Sequence, residues 1–257
     1  MSSDFIQSWT EGAVGVIQLN RPKVANALNR QMVQEIVEQA ERYDRDQEIR
    51  VILVKGSERA FAAGADIREM EGETPIRFEL ADPFADWDRF TRIHKPMVAA
   101  VNGFALGGGF ELALHCDLIV AATNARFGFP EVSLGVLPGA GGTQLLTRAV
   151  GRKKALEWIW TGKHISAQEA LQIGIINKIV EPELVEEEAF RLARTIVKQA
   201  PIAVRLIKEA VHQAEDVTLA DGMMLERKNF YLAFATKDQK EGMKAFLEKR
   251  PPIFKGE

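Results

Sequence analysis

The 257-residue chain predicts an α/β protein: a mixed core followed by a helical C-terminal region. Three observations carry this. Short apolar runs alternate with helical periodicity up to about residue 180, and the pattern beyond about residue 183 is almost wholly helical. Gly-rich turns also follow the apparent strands. The expected division is a core over 1–195 and a helical region over 196–257.

Val14 to Leu19 (VGVIQL) reads as a buried strand, broken by Asn20-Arg21-Pro22. Asn29 suits an N-cap, and Met32, Val33, Ile36, Val37 and Ala40 then recur at helical spacing to about Tyr43. Val51–Val54 and Met97–Val101 are further short strands, the second entered through Lys95-Pro96. A helix over Phe110–His115 and a strand at Leu118–Ala122 follow. The stretch Glu71–Asp88 is acidic, contains Pro75 and Pro83, and lacks clean periodicity, so a mobile loop or a loop-helix excursion is expected. Ser166-Ala167-Gln168-Glu169 reads as a capping box, in which the serine accepts from the third helical N–H and the glutamate reaches back. Pro201 punctuates the final helical stretch, which ends at Lys249-Arg250-Pro251-Pro252.

Composition narrows the class. With 46% hydrophobic and 27% charged residues, the chain has the balance of an ordinary soluble globular protein. A chain of this length buries enough apolar surface to hold together without a disulfide or structural metal. Cys116 is the one cysteine, which fits a reducing compartment. The net charge of −3 and the absence of long Lys/Arg blocks speak against nucleic acid as a partner. No apolar run reaches the ~18 residues of a membrane span. The opening MSSDFIQSWTEG resembles no export or organellar leader, so a cytoplasmic location is expected.

Three Gly-rich segments could do chemistry: Phe61–Asp66, Asn102–Glu111 and Leu137–Thr143. Glycine lets backbone approach a ligand closely, and N–H groups at a helix start are unsatisfied and face the positive dipole end. Such turns can hold an anion or a developing oxyanion. One alone is most simply a tight turn that binds nothing, whereas three suggest a site built largely from backbone amides. None fits a phosphate loop. Glu111 falls in the first helical turn after Gly107–Gly109, where an acid can simply complement the dipole, and Glu131 follows Pro130 in an apolar stretch. They matter as a pair only if the fold brings them to one cavity, which spacing does not show. His94, His115, His164 and His212 are scattered and read as surface or structural, with no metal-ligand set among them. Cys116 reads as a small core residue, and Trp158, Trp160 and Phe190 as core or interface packing.

The strings FAAGADIREM, HKPMVAAVNGFALGGGFELALHCDL, ARFGFPEVSLGVLPGAGGTQ and GMKAFLEKRPPIFKG, in that order, closely resemble the enoyl-CoA hydratase (crotonase) family. The likeness runs from about Val14 nearly to the end and is strongest to the short-chain hydratases of fatty-acid β-oxidation. It implies the ClpP/crotonase-like fold, a spiral of ββα units with a helical C-terminal region that assembles trimers, often paired as hexamers. It implies oxyanion-hole N–H groups at Ala65 and Gly108, catalytic carboxylates at Glu111 and Glu131, and a water-side turn at Gly139. By the same resemblance coenzyme A would meet Lys23, Ala25, Ala63, Ala65, Asp66, Ile67, Arg68, Phe230, Phe246 and Lys249, the C-terminal ones reaching across a subunit interface. The acyl-CoA is substrate, and neither cofactor nor metal is required.

Three positions depart from the familiar pattern. Phe129 stands where Gln or Leu is usual and is expected to narrow the acyl pocket; Leu145 replaces a common Arg, and Phe110 a common Cys. The superfamily also holds isomerases, dehalogenases, decarboxylases and hydrolases. Isomerases typically lack one of the two glutamates, both present here, so a hydratase of a specialised or branched acyl-CoA is the stronger enzymatic alternative. An RNA-binding homologue would need a basic surface, and an inactive assembly protein would not need both glutamates.

Overall fold

The computed structural model describes residues 5–257. Its elements run in chain order as β1 (Ile6–Glu11), β2 (Val14–Leu19), α1 (Arg30–Arg45), β3 (Val51–Lys55), β4 (Ala60–Ala62), α2 (Pro75–Ala81), α3 (Ala85–Phe90), β5 (Met97–Val101), β6 (Phe104–Leu106) and α4 (Gly108–His115). There follow β7 (Leu118–Ala122), β8 (Arg126–Gly128), α5 (Gly142–Val150), α6 (Arg152–Thr161), β9 (Ile165–Ser166), α7 (Ala167–Ile173), β10 (Lys178–Val180), α8 (Val185–Val197), α9 (Pro201–Gln213), α10 (Leu219–Ala233) and α11 (Lys237–Leu247).

Strands come in pairs that divide between two sheets. One sheet is ordered β1-β2-β3-β5-β7-β10 and the other β4-β6-β8-β9. From β3 to β8, the first strand of each pair joins the larger sheet and the second joins the smaller one, before helices return the chain to the next pair; β9 and β10 take the reverse order. The larger sheet is parallel from β2 to β10, and β1 closes its edge as an antiparallel hairpin with β2. This is the spiral of ββα units. Its strands are buried on both faces, which is why they read as continuous apolar runs without alternation.

The caps follow local chemistry. Asn29 Oδ1 accepts the Met32 N–H at 3.0 Å and starts α1, whose periodic apolar face is buried. Ser166 Oγ caps α7 by accepting from Glu169 N. The expected reciprocal bond is replaced: Glu169 turns to Lys163, 3.1 Å away, so half of the capping box forms. The segment Glu71–Asp88 takes the loop-helix form, with Thr74 capping α2 and Pro75 in its first turn.

The helical pattern after residue 183 begins with a helix that belongs to the core, since α8 packs across β2, β3, β5 and β7. Helices α9–α11 project beyond it. Lys208 and His212 of α9 reach Asp117, at 2.8 and 3.0 Å, and tie this region to the turn between α4 and β7. Cys116 and Trp158 are buried in the core, while Trp160 is exposed. Among the described residues no helix is long and apolar enough to cross a membrane.

Candidate active site

All three Gly-rich segments meet at one cavity of about 250 Å³. The paired sheets explain why: β4 and β6 are neighbours, so the turns that follow them lie side by side. The ladder leaves one amide spare. Leu28 N donates to Gly64 O and Asp66 N to Leu28 O, and this parallel bridge brackets Ala65 without using its N–H. Gly108 is the first residue of α4, so its N–H has no acceptor within the helix. A Cβ built on Gly108 would lie 3.7 Å from Ala65 N, which places the two amides next to each other on the cavity wall.

Glu111 comes from the first turn of α4 and is almost fully buried. Its Oε1 accepts two backbone N–H bonds, from Ala140 at 2.7 Å and Gly142 at 2.8 Å. Glu131 is the second residue of the 3-10 turn Pro130–Leu134 after β8 and faces the same cavity. Its Oε2 is buried with no hydrogen-bond partner among the described residues. Burial pushes the Glu111 carboxyl above the ordinary carboxylate range, against the pull of the two N–H donors. Burial also pushes Glu131 up to about 7, with the nearby Glu111 adding to the rise. The two acids share a cavity, but one has two donors that favour its charged form and the other has a bare oxygen.

Part of the remaining wall is aromatic and comes from the acidic segment. Phe78, Phe84 and Trp87, on or beside α2 and α3, close over the pocket with Leu137. Gly139 lies under Phe84 so tightly that a Cβ there would sit 2.5 Å from the ring.

The Enoyl-CoA hydratase/isomerase family model matches residues 10–257. The chain belongs to this family. The family chain is 62% identical to a crystal structure of enoyl-CoA hydratase subunit I from Geobacillus kaustophilus HTA426, with a TM-score of 0.97 and 98% of each chain covered. It is 47% identical to the mitochondrial enoyl-CoA hydratase of Pongo abelii, over 94% of this chain and 83% of that one. It is 44% identical to the 2,3-dehydroadipyl-CoA hydratase of Escherichia coli K12, over 94% of each. A hydratase-type reaction of the crotonase superfamily is therefore the general chemistry of this fold and site.

The other positions picked out in this family chain divide by location. Ala63, Ala65, Asp66, Ile67 and Gly139 line the cavity. Lys23 and Arg68 are exposed on two short 3-10 turns outside the lining. Those segments are held together because Ala25 O accepts Ala63 N at 3.0 Å and Arg21 pairs with Asp66 at 2.9 Å. Phe230, Phe246 and Lys249 lie on or after the C-terminal helices, exposed and outside this cavity in the single chain.

Phe129 corrects the expectation of a narrowed pocket. It is buried, stacked on Phe110 at 4.9 Å and lodged against Gly142, so it supports the floor beneath the site and is not part of the lining. The two unusual phenylalanines form one aromatic cluster with Phe127, 5.2 Å from Phe110. Sequence reasoning missed the aromatic wall, whose signal was three large rings in a segment read as a loop or a loop-helix excursion. It also missed the amides of Ala140 and Gly142 as holders of Glu111, and the place of His115 beside them.

Proposed function

We propose that the protein adds water syn across the double bond of a short trans-2-enoyl-CoA to give the 3-hydroxyacyl-CoA. The observation that carries this reading is the pairing of Glu111 and Glu131 in one buried cavity beside the spare N–H groups of Ala65 and Gly108. Glu111, held by two N–H donors, is the group suited to carry the charge, and Glu131, lifted to about 7, the group suited to carry the proton.

Water held between the carboxylates attacks C3 while Glu111 takes its proton. The π electrons move toward C2 and the thioester, and the Ala65 and Gly108 amides hold the developing charge on the thioester oxygen. Glu131 then gives its proton to C2. One O–H bond of water breaks, C3–O and C2–H bonds form, and proton exchange resets the two acids. Two preorganised N–H donors in a desolvated site supply about two or more powers of ten in rate.

The lining favours a short, uncharged acyl group. Arg30 is the one cation among the lining residues, and it is paired with Glu73 at 3.0 Å. A dicarboxylic acyl chain would leave its second carboxylate facing Phe84, Trp87 and Leu137. The exposed apolar side chains of α10 and α11, including Tyr231, Leu232 and Leu247, support a homotrimer or hexamer, in which Phe230, Phe246 and Lys249 would reach a neighbour's coenzyme A. The testing experiment follows loss of the conjugated enoyl-thioester absorbance with crotonyl-CoA, longer and branched enoyl-CoAs, and 2,3-dehydroadipyl-CoA. Fastest turnover of crotonyl-CoA supports the reading; preference for the dicarboxylic or a branched substrate overturns the acyl assignment.

A further inference from the structure

His115 lies one helical turn beyond Glu111 on α4 and takes no part in the chemistry proposed above. Its Nε2 lies 2.9 Å from the carbonyl oxygen of Ala140. A carbonyl only accepts, so Nε2 carries the hydrogen and the ring donates. The N–H of that same Ala140 donates to Glu111 Oε1 at 2.7 Å. One residue of the Leu137–Thr143 turn is thus gripped twice by one helix, through its oxygen by His115 and through its nitrogen by Glu111.

The ring is itself held. It stacks on Phe90 at 5.6 Å and lies 5.9 Å from Trp87, both on α3, and Trp87 lines the cavity. On the other side the turn passes close enough that a Cβ on Gly141 would be 3.4 Å from Nε2. Burial lowers the proton affinity of the imidazole, against the smaller opposing pull of the Ala140 carbonyl and of Asp88 on α3. His115 therefore joins three parts of the site: the catalytic helix, the turn over Glu111 and the aromatic wall.

We infer that His115 is a positioning residue, which fixes the Ala140 carbonyl so that the Ala140 and Gly142 amides stay aimed at Glu111. It touches neither substrate nor reacting atoms. Without it the turn loses one of its ties to α4, the carboxylate loses part of its N–H support, and its charged form becomes less favoured. The role rests on the hydratase reading only where turnover is the readout.

The test compares wild type with His115→Met, which fills the space without donating, and His115→Gln, whose side-chain amide can donate to the Ala140 carbonyl. Carboxyl carbons are labelled in glutamate, and the Glu111 signal is assigned by its loss in Glu111→Gln. The expected result is a Glu111 titration midpoint about one pH unit higher in His115→Met and back near wild type in His115→Gln. With crotonyl-CoA, kcat falls about 10- to 100-fold in His115→Met at a KM within about threefold, and His115→Gln recovers most of it. An unchanged midpoint in His115→Met overturns the inference. So does a His115→Gln variant as impaired as His115→Met, which would make the residue mere packing. Failure of wild type to turn over crotonyl-CoA would sink the hydratase reading alone, because the titration decides the role of His115 without it.

Discussion

Gly107 and Glu131 occupy space that only a glycine leaves open. Gly107 has φ +50°, and a Cβ on it would fall 2.8 Å from Glu131 Oε1. The turn that opens α4 and the carboxylate from the far side of the cavity are therefore fitted to each other. Gly107→Ala places a side chain in the left-handed region and drives Glu131 from its position. Stability should fall by about 1–3 kcal/mol and turnover by more than the folded fraction explains, which urea unfolding and kinetics on one preparation would separate.

Glu111→Gln and Glu131→Gln each remove one acid–base group and keep the shape. Each should lower kcat with crotonyl-CoA by about 10²- to 10⁴-fold while the circular dichroism spectrum is retained. A variant that keeps near wild-type turnover would remove that glutamate from the mechanism.

The pH dependence follows from Glu131. Its carboxyl titrates at about 7 in the folded protein against an ordinary 4.5. The acid form needed for protonating C2 is lost as pH rises through 7, so kcat should decline on that side. Stability has the same sign: a raised carboxyl favours the folded state fully below its unfolded value, and that contribution disappears as pH rises from about 4.5 to 7. Glu131→Gln should therefore gain Tm relative to wild type across this interval, and parity at both ends would contradict it.

Phe84 lines the pocket and lies over Gly139. Phe84→Ala should raise kcat/KM for six- to eight-carbon enoyl-CoAs relative to crotonyl-CoA, by about 10-fold or more, in line with the 1–3 kcal/mol carried by one methylene's fit in an apolar pocket. Competition between two chain lengths in one vessel reads this ratio directly.

Tyr231 and Leu232 are exposed side chains on α10, 68% and 58% accessible in the single chain. A Tyr231→Asp, Leu232→Asp double variant should reduce the particle mass seen by analytical ultracentrifugation toward that of one chain. Wild type sedimenting as a monomer would end the assembly proposal.

How much of this was legible in the sequence depends on the range of the interaction. Buried strands such as Met97–Val101 and the Asn29 cap were readable because apolar runs and a cap are local. The capping box at Ser166 was only half right because a nearby lysine, Lys163, competed for Glu169. The four longer strings that contain the Gly-rich turns and the C-terminal ending marked the family by resemblance, and Glu111 and Glu131 stood within two of them.

By itself the sequence determined the strand and helix rhythm, the glycines at the turns and the presence of two acids 20 residues apart. Only the tertiary structure decided that these turns share one cavity, that two amides hold Glu111 while Glu131 Oε2 has none, and that Phe129 faces the core. Local patterns are set by backbone propensity and burial period, which neighbours along the chain express. The state of a carboxyl depends on which distant donors and how much water reach it, and that is fixed only when the β4–β6 pairing and the packing of α3 bring those groups together.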